Sequence, residues 1–446
     1  MESRTRKWLT RAVAAAAAAT VAIGGMTACS SSGSSDGSGG KTTVNWWSWN
    51  PDDTQDKQWI TAFEKEHPDI TIKHRFIQYS DYVNAVRLAA TSNSGPDVFG
   101  LQVGALTTQF APLASDLAPL AAKNIGADWK DRLLETQQLA VDGKQVGLPW
   151  MITGGGLLWY NKGILDQAGV QPPTTLAEWK DACAKITQLG KTCFVQGAKD
   201  DWVNIDVYQS IVNQITPGTF YKAVLGTAKF DSADFVKAFE VWKQLFDDGI
   251  VQPGALGQTE YPDVNDMFSK GDAAMIALGT WNDDHMTKPT LASLAPTYGD
   301  QITSQVFVPT AFPDVVGGAK ETGRLFGGPD VGWAISAKSK VKDAAFALVQ
   351  WLTSSKTAQT MIAKTLQTPA LKSVPVDASE LAAPDVQKPA LEDQAKQITN
   401  LIGARQIQDA DVQTALGQAL SSVASGQMSP EDAAASVQKA IDAIAK

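Results

Sequence analysis

Fourteen tryptophans stand among 446 residues, and their placement beside carboxylates and amides sets the chemistry open to this chain. An indole offers a flat apolar face and one N–H, while carboxylates and carboxamides accept or donate at defined angles. Together they suit a solute with an apolar C–H face and a rim of hydroxyls, as in a sugar ring. The same residue types also suit an organic cation. Trp46, Trp47 and Trp49 close the run that begins Thr42-Thr43-Val44, which reads as a strand. Successive strand residues face opposite ways, so Trp47 and Trp49 are expected to reach a cleft and Trp46 to be core. Asp97 follows Gly95-Pro96 at a turn, and Gln102 lies just past the run Asp97-Val98-Phe99; both are candidates for a hydroxyl rim. Asp283 and Asp284 follow Trp281, and Trp202 stands beside Asp200 and Asp201. Trp59, Trp159, Trp179, Trp242 and Trp351 have apolar neighbours at helical or strand spacing and read as core.

The residues of covalent or metal chemistry are scarce. His67, His74 and His285 are the three histidines, and none stands at metal-ligand spacing with a cysteine or another histidine. There is no His-Glu-x-x-His, no phosphate loop, and no Gly-x-Ser-x-Gly after a strand in the body of the chain. No metal or cofactor is expected, and a binder is expected rather than an enzyme. Paired carboxylates are plentiful and would suit a glycosidase only at the separation that reaction needs.

Elements to position these residues follow from periodicity. Asp56 to Glu66 carries Trp59, Ile60 and Phe63 at helical spacing, and Ile70-Thr71-Ile72 begins a second strand. Tyr79 to Ala90 is helical, and Asp97-Val98-Phe99 begins a third strand. Strands Leu157–Tyr160 and Ala273–Ala277 and helices Phe235–Phe246 and Lys342–Leu352 continue the alternation, which implies a parallel α/β sheet. The last fifty residues, rich in Ala and Gln, read as wholly helical. Leu176 to Leu189 reads as a helix and Cys193-Phe194-Val195 as a strand. A Cys183–Cys193 disulfide is expected to clamp the two.

The first forty residues are of another kind. Arg4, Arg6, Lys7 and Arg11 precede an uncharged run, Ala12 to Gly25, and then Met26-Thr27-Ala28-Cys29. That order reads as a secretory signal over 1–28. Its end resembles a bacterial lipobox, which implies cleavage before Cys29 and lipidation of its thiol. Residues 29–40 follow as a Ser/Gly tether. The chain carries −9 overall; the first 28 residues contribute four basic side chains and Glu2, a net of +3, which leaves about −12. Such a balance argues against nucleic acid and against electrostatic adhesion to anionic lipid. The expected location is the outer face of a cell membrane, held through the anchor alone. About 400 remaining residues suggest two lobes rather than one core.

Seven segments, in order, resemble the extracellular solute-binding proteins of ABC importers, in the sugar-binding branch that includes maltose-binding protein. They are Phe63-Glu64-Lys65-Glu66-His67-Pro68-Asp69-Ile70, Gly95-Pro96-Asp97-Val98, Asp142 to Pro149, Trp159 to Lys162 with Ala168-Gly169, Phe268 to Met275, Gly279-Thr280-Trp281, and Pro369 to Ser373. Val146 stands where that family usually has an aromatic, and the stretch around Asp411 lacks one, which argues against maltose itself. The resemblance implies two α/β lobes, each a mostly parallel sheet flanked by helices, with the ligand at the hinge. It implies lobes of 41–150 with 332–375 and of 151–331 with 376–446. Trp150 before the first crossing, Trp281, and Asp330 and Trp333 at the second become ligand candidates. The implied partners are a sugar or oligosaccharide and a membrane permease, with the chain a monomer. A quaternary ammonium compound or a peptide as ligand, or a lipid-anchored carbohydrate hydrolase, are the alternatives.

Overall fold

A computed structural model of the chain describes residues 40–53, 55–91 and 95–444. Cys29, the signal segment and nearly all of the tether lie outside the described residues. In chain order the strands are β1 (Thr42–Ser48), β2 (Ile70–Phe76), β3 (Val98–Leu101), β4 (Ala140–Val141), β5 (Lys144–Gln145), β6 (Leu148–Pro149), β7 (Met151–Gly155) and β8 (Leu157–Asn161). Then come β9 (Thr192–Val195), β10 (Ala273–Leu278), β11 (Phe307–Ala311), β12 (Phe326–Pro329), β13 (Gly332–Ile335) and β14 (Thr368–Pro369).

The first lobe is built on a sheet of order β2-β1-β3-β13-β6. β1 runs parallel to β2 and β3, while β13 is antiparallel to β3 and β6. The second lobe has the order β11-β8-β10-β9, with β9–β10 parallel and the other pairs antiparallel. The sheets are therefore mixed rather than mostly parallel. In the first lobe the parallel pair β1–β2 is joined by a helix crossover, whereas β13 re-enters the sheet from the opposite end after the chain has visited the second lobe. A third small sheet, β12-β7-β14, is antiparallel and carries the chain between the lobes.

Local sequence accounts for these elements. Val44, Trp46 and Ser48 alternate inward along β1. The helix Asp56–Glu66 buries Trp59 and Phe63, one turn apart. Asp142 and Gly143 join β4 to β5 with φ of 50° and 79°, the two positive angles a type I′ hairpin requires. Trp46, Trp59, Trp150, Trp333, Phe346 and Trp351 form the first lobe's core. Trp179, Phe194, Tyr208, Phe235 and Trp242 form most of the second. Cys183 on the helix Leu176–Gln188 is disulfide-bonded to Cys193 on β9, with Cα atoms 4.9 Å apart.

The C-terminal stretch differs from a continuous helix. Helices Pro384–Ile398 and Ala410–Ala424 are separated by a loop over 399–409. Its backbone bonds to β12 and the residue before it instead: Ile402 N donates to Leu325 O at 2.8 Å, and Gly403 O accepts from Gly327 N at 2.9 Å. Asp409 restarts the helix by accepting from the N–H groups of Asp411 and Val412 at 2.9 and 3.0 Å. Among the described residues, no helix is long and apolar enough to cross a membrane.

Candidate functional site

Three parallel strands of the first lobe end together, and the residues just beyond them face the second lobe. Trp49 follows β1, Tyr79 follows β2 by three residues and Gln102 follows β3. Gly332 pairs with Leu101, so Asp330 arrives at the same end from β13. The carboxyl ends of strands are where α/β sheets bind ligands. Tyr79 Oη donates to Gln102 Oε1, and Gln102 Nε2 donates to Asp330 Oδ1 at 3.3 Å. Trp49 packs edge-on against Tyr79 and Tyr82, with ring centres at 5.4 and 4.8 Å.

The second lobe answers with aromatic rings. Gly279, Thr280 and Trp281 follow β10, and each is pinned. Trp159 Nε1 donates to Gly279 O at 3.1 Å, and Thr280 Oγ1 accepts from Gly154 N on β7 at 3.0 Å. The Trp281 ring lies so close to Gly279 that a Cβ there would meet Cζ3 at 2.1 Å. Trp281 Nε1 donates to Tyr261 Oη at 3.2 Å, and Trp202 stacks on Tyr261 and meets Trp281 edge-on. Arg405, from the 399–409 loop, reaches into this corner. Its Cζ lies 4.0 Å from the Trp281 ring centre and 5.2 Å from that of Trp202. Its Nε is 2.8 and 3.1 Å from the two carboxylate oxygens of Asp206, and its Nη1 is 3.7 Å from Asp330 Oδ1. Gln102, Val103, Thr153, Gly328, Pro329, Asp330, Arg405 and Gln406 line a narrow crevice between these groups.

The electrostatics follow from burial. Burial pushes the Asp206 carboxyl up to about 6 and raises Asp330, with the Arg405 charge opposing both shifts. For Arg405 burial works against the charge, but Asp206 and Asp330 outweigh it, so the guanidinium stays ionised. Glu260, next to Tyr261, is fully buried and its carboxyl is raised to about 8 by burial.

Of the residues expected at a cleft, Gln102, Trp281 and Asp330 meet there, and Trp49 stands behind Tyr79. The others do not. Trp150 and Trp333 are buried in the first lobe's core, 5.3 Å apart between ring centres, with Trp150 also against Trp59. Their side chains point to the inner face of the sheet although their backbones lie near the crossings. Trp47 pairs across strands with Arg75, whose guanidinium covers its ring at 4.5 Å. Asp97 precedes β3 and so sits at the opposite end of the sheet, where it accepts from Asn45 N and Ser339 Oγ. Asp283 is buried away from the crevice and accepts from Gln394 Nε2. Tyr79, Asp206, Tyr261 and Arg405 were not singled out by sequence. The two tyrosines carry the same aromatic signal as the tryptophans, whereas nothing local marks Arg405.

A Ser–His–Asp series also lies outside the cleft. Ser48 Oγ is 2.8 Å from His74 Nε2, and His74 Nδ1 is 3.1 Å from Asp56 Oδ2. That order matches a nucleophile, base and carboxylate. Ser48, however, is 0% exposed, and Trp46 covers the imidazole at 4.4 Å, so no substrate carbonyl can approach. Asp53, Asp56 and His74 bring ligand atoms within 4.8 Å of one another. Both ring nitrogens already have hydrogen-bond partners, so the imidazole has no free nitrogen for a cation, and Asp56 Oδ1 is left as a buried oxygen without a partner among the described residues.

Residues 47–359 match the model of the family described as bacterial extracellular solute-binding protein. The chain belongs to that family. Among relatives of this solute-binding protein, the galactooligosaccharide-binding protein of Bacillus subtilis (strain 168) is 25% identical over 328 residues, 72% of this chain and 71% of that one. The maltodextrin-binding protein MdxE of the same organism is 28% identical over 240 residues, about half of each chain. Solved structures share the two-lobe fold. A chitin oligosaccharide binding protein aligns with a TM-score of 0.71 at 21% identity, over 90% of this chain and 98% of that one. Maltose-bound MalE3 of T. maritima aligns with a TM-score of 0.70 at 20% identity, over 90% and 100%.

Proposed function

We propose that this solute-binding protein captures a neutral sugar or short oligosaccharide and hands it to the permease of an ABC importer. The observation that carries the reading is the Trp281 ring, held by Gly279 and Tyr261 and flanked by Trp202. Arg405 joins it to Asp206 of the same lobe and to Asp330, which accepts from Gln102 of the first lobe. An aromatic face next to amide and carboxylate groups is the donor set a pyranose needs. The names of the relatives, which include binders of galactooligosaccharides and maltodextrin, support the same class. Lobes of 41–150 with 332–375 and of 151–331 with 376–446 complete the proposal. So do a monomeric state, a binding rather than catalytic role, and a lipid anchor at Cys29. A thermal-shift screen across neutral oligosaccharides, betaines and peptides tests the ligand class, since a ligand of the native state raises its apparent stability. Stabilisation by betaines or peptides alone would refute the sugar reading. For the anchor, Cys29→Ala should release the protein from washed membranes or leave it unprocessed; a mature-length chain still bound to membranes would refute it.

A further inference from the structure

The Arg405 guanidinium covers a face of the Trp281 ring. Its side chain is 7% exposed and its Cζ lies 4.0 Å from the ring centre, within the roughly 6 Å at which a cation is attracted to an indole. Its N–H groups also point at Asp206 and Asp330, the carboxylates that would take hydroxyl donors. The crevice beside it is only about 10 Å³, room for roughly one water, against the roughly 300–1,000 Å³ of small-molecule sites. The backbone carrying it cannot easily yield. Ile402 N bonds to Leu325 O, Gly403 O accepts from Gly327 N, and Arg405 O accepts from Gln209 Nε2 at 2.9 Å. Ile407 O accepts from Ala105 N of the first lobe, also at 2.9 Å. What can move is the side chain.

We propose that Arg405 is a built-in occupant of the ligand box, one that a neutral sugar displaces and that bars organic cations. The inference rests on the sugar reading above and adds the selection rule. A sugar ring restores the ring contact and the hydrogen bonds that the guanidinium gives up: its C–H face covers Trp281 and its hydroxyls donate to Asp206 and Asp330, while the displaced guanidinium has to keep its charge within reach of the two carboxylates. A trimethylammonium group could cover the ring as well. It would, however, bring a second positive charge next to a guanidinium that the two carboxylates keep within reach of the box even when displaced, and like charges in a buried site repel strongly. Without Arg405 the box is three aromatic rings and two carboxylates, the composition of a cation site. Arg405 therefore sets specificity by exclusion. It also lowers the apparent affinity for sugar, because the binding-competent arrangement is only part of the population.

Isothermal titration of the wild type, Arg405→Ala and Arg405→Gln at about pH 8 tests this, with choline and a panel of neutral oligosaccharides as probes. The wild type should bind a sugar and not choline. Both variants should bind choline at least about tenfold more tightly than the wild type does, and the sugar at least about threefold more tightly. Choline binding to the wild type, no choline gain in either variant, or a weakened sugar affinity would overturn the proposal; the last would make Arg405 an ordinary sugar contact. Failure of both variants to melt cooperatively would also overturn it, since Arg405 would then be a folding residue. If the wild type binds no sugar while the variants gain choline, the sugar reading fails and the occupancy of the box by Arg405 stands.

Discussion

Raising the pH from about 6.5 to about 9 should destabilise this protein, and Glu260 should account for much of the loss. Glu260 is fully buried; Oε2 accepts from Gly197 N at 2.9 Å and Oε1 has no hydrogen-bond partner. Burial raises its carboxyl from an ordinary value of 4.5 to about 8, with the Gly197 N–H opposing and Asp200 and Asp206 adding to the rise. Between those values the folded state holds a proton that the unfolded chain has lost, so folding free energy falls as pH rises. At about 1.4 kcal/mol per pH unit the whole window is worth on the order of 5 kcal/mol, and the stretch from pH 6.5 to 8 about 2 kcal/mol. Asp283 is also raised by burial and acts with the same sign. His74, lowered by burial, acts with the opposite sign but only below its ordinary value of 6.5. The assay is urea unfolding at a series of pH values for the wild type, Glu260→Gln and Asp283→Asn. Glutamine keeps an oxygen for Gly197 N and removes the titration, so its slope should be shallower than that of the wild type. A wild-type stability that is flat or rising across this range, or a Glu260→Gln slope equal to the wild type, would refute the argument.

Trp281→Ala should weaken sugar binding about tenfold to a hundredfold, the scale of a buried aromatic contact, with little effect on the melting temperature. Trp242→Ala should do the reverse, costing about 3–5 kcal/mol of stability, because its ring is fully buried and its Nε1 donates to Leu420 O at 2.9 Å. Equal effects of the two on either readout would contradict the division into site and core. Gly279→Ala would place a Cβ 2.1 Å from the Trp281 ring and 2.3 Å from Gly154 O. It should cost about 1–3 kcal/mol and reduce binding at least about tenfold, measured by titration calorimetry; unchanged binding would show that the ring position is immaterial. Non-reducing peptide mapping should recover Cys183 linked to Cys193, and reduction should lower stability by roughly 3 kcal/mol for a ten-residue separation. Two free thiols in oxidised protein would refute the bond.

The helices and strands of the first hundred residues could be read from sequence because each carries its own period. Trp59 and Phe63 mark one helix, and Val44 and Trp46 mark the strand that packs on it. The place of Gln102 at the cleft end of the sheet was legible for a related reason: strand ends are local, and strand ends make the cleft. Trp150 and Trp333 misled because lying near a crossing fixes the backbone but not the face to which an indole turns. Asp97 misled because a turn residue belongs to whichever end of the sheet its strand leaves, and β3 runs away from it. Arg405 was illegible because the Ala- and Gln-rich composition around it masked the loop. Its partners, Asp206 and Asp330, lie 199 and 75 positions away in sequence.

The position of β13 bears on how the chain is made. This strand lies between β3 and β6, yet its residues, 332–335, are synthesised roughly 230 positions after Leu101. At about 5–20 residues per second a ribosome takes some ten to fifty seconds to cover that distance. Throughout that interval the open edge of β3 has no neighbour of its own, and the first lobe cannot close. A chain that cannot complete its leading half until most of it has been synthesised stays loose for longer than one whose lobes are contiguous.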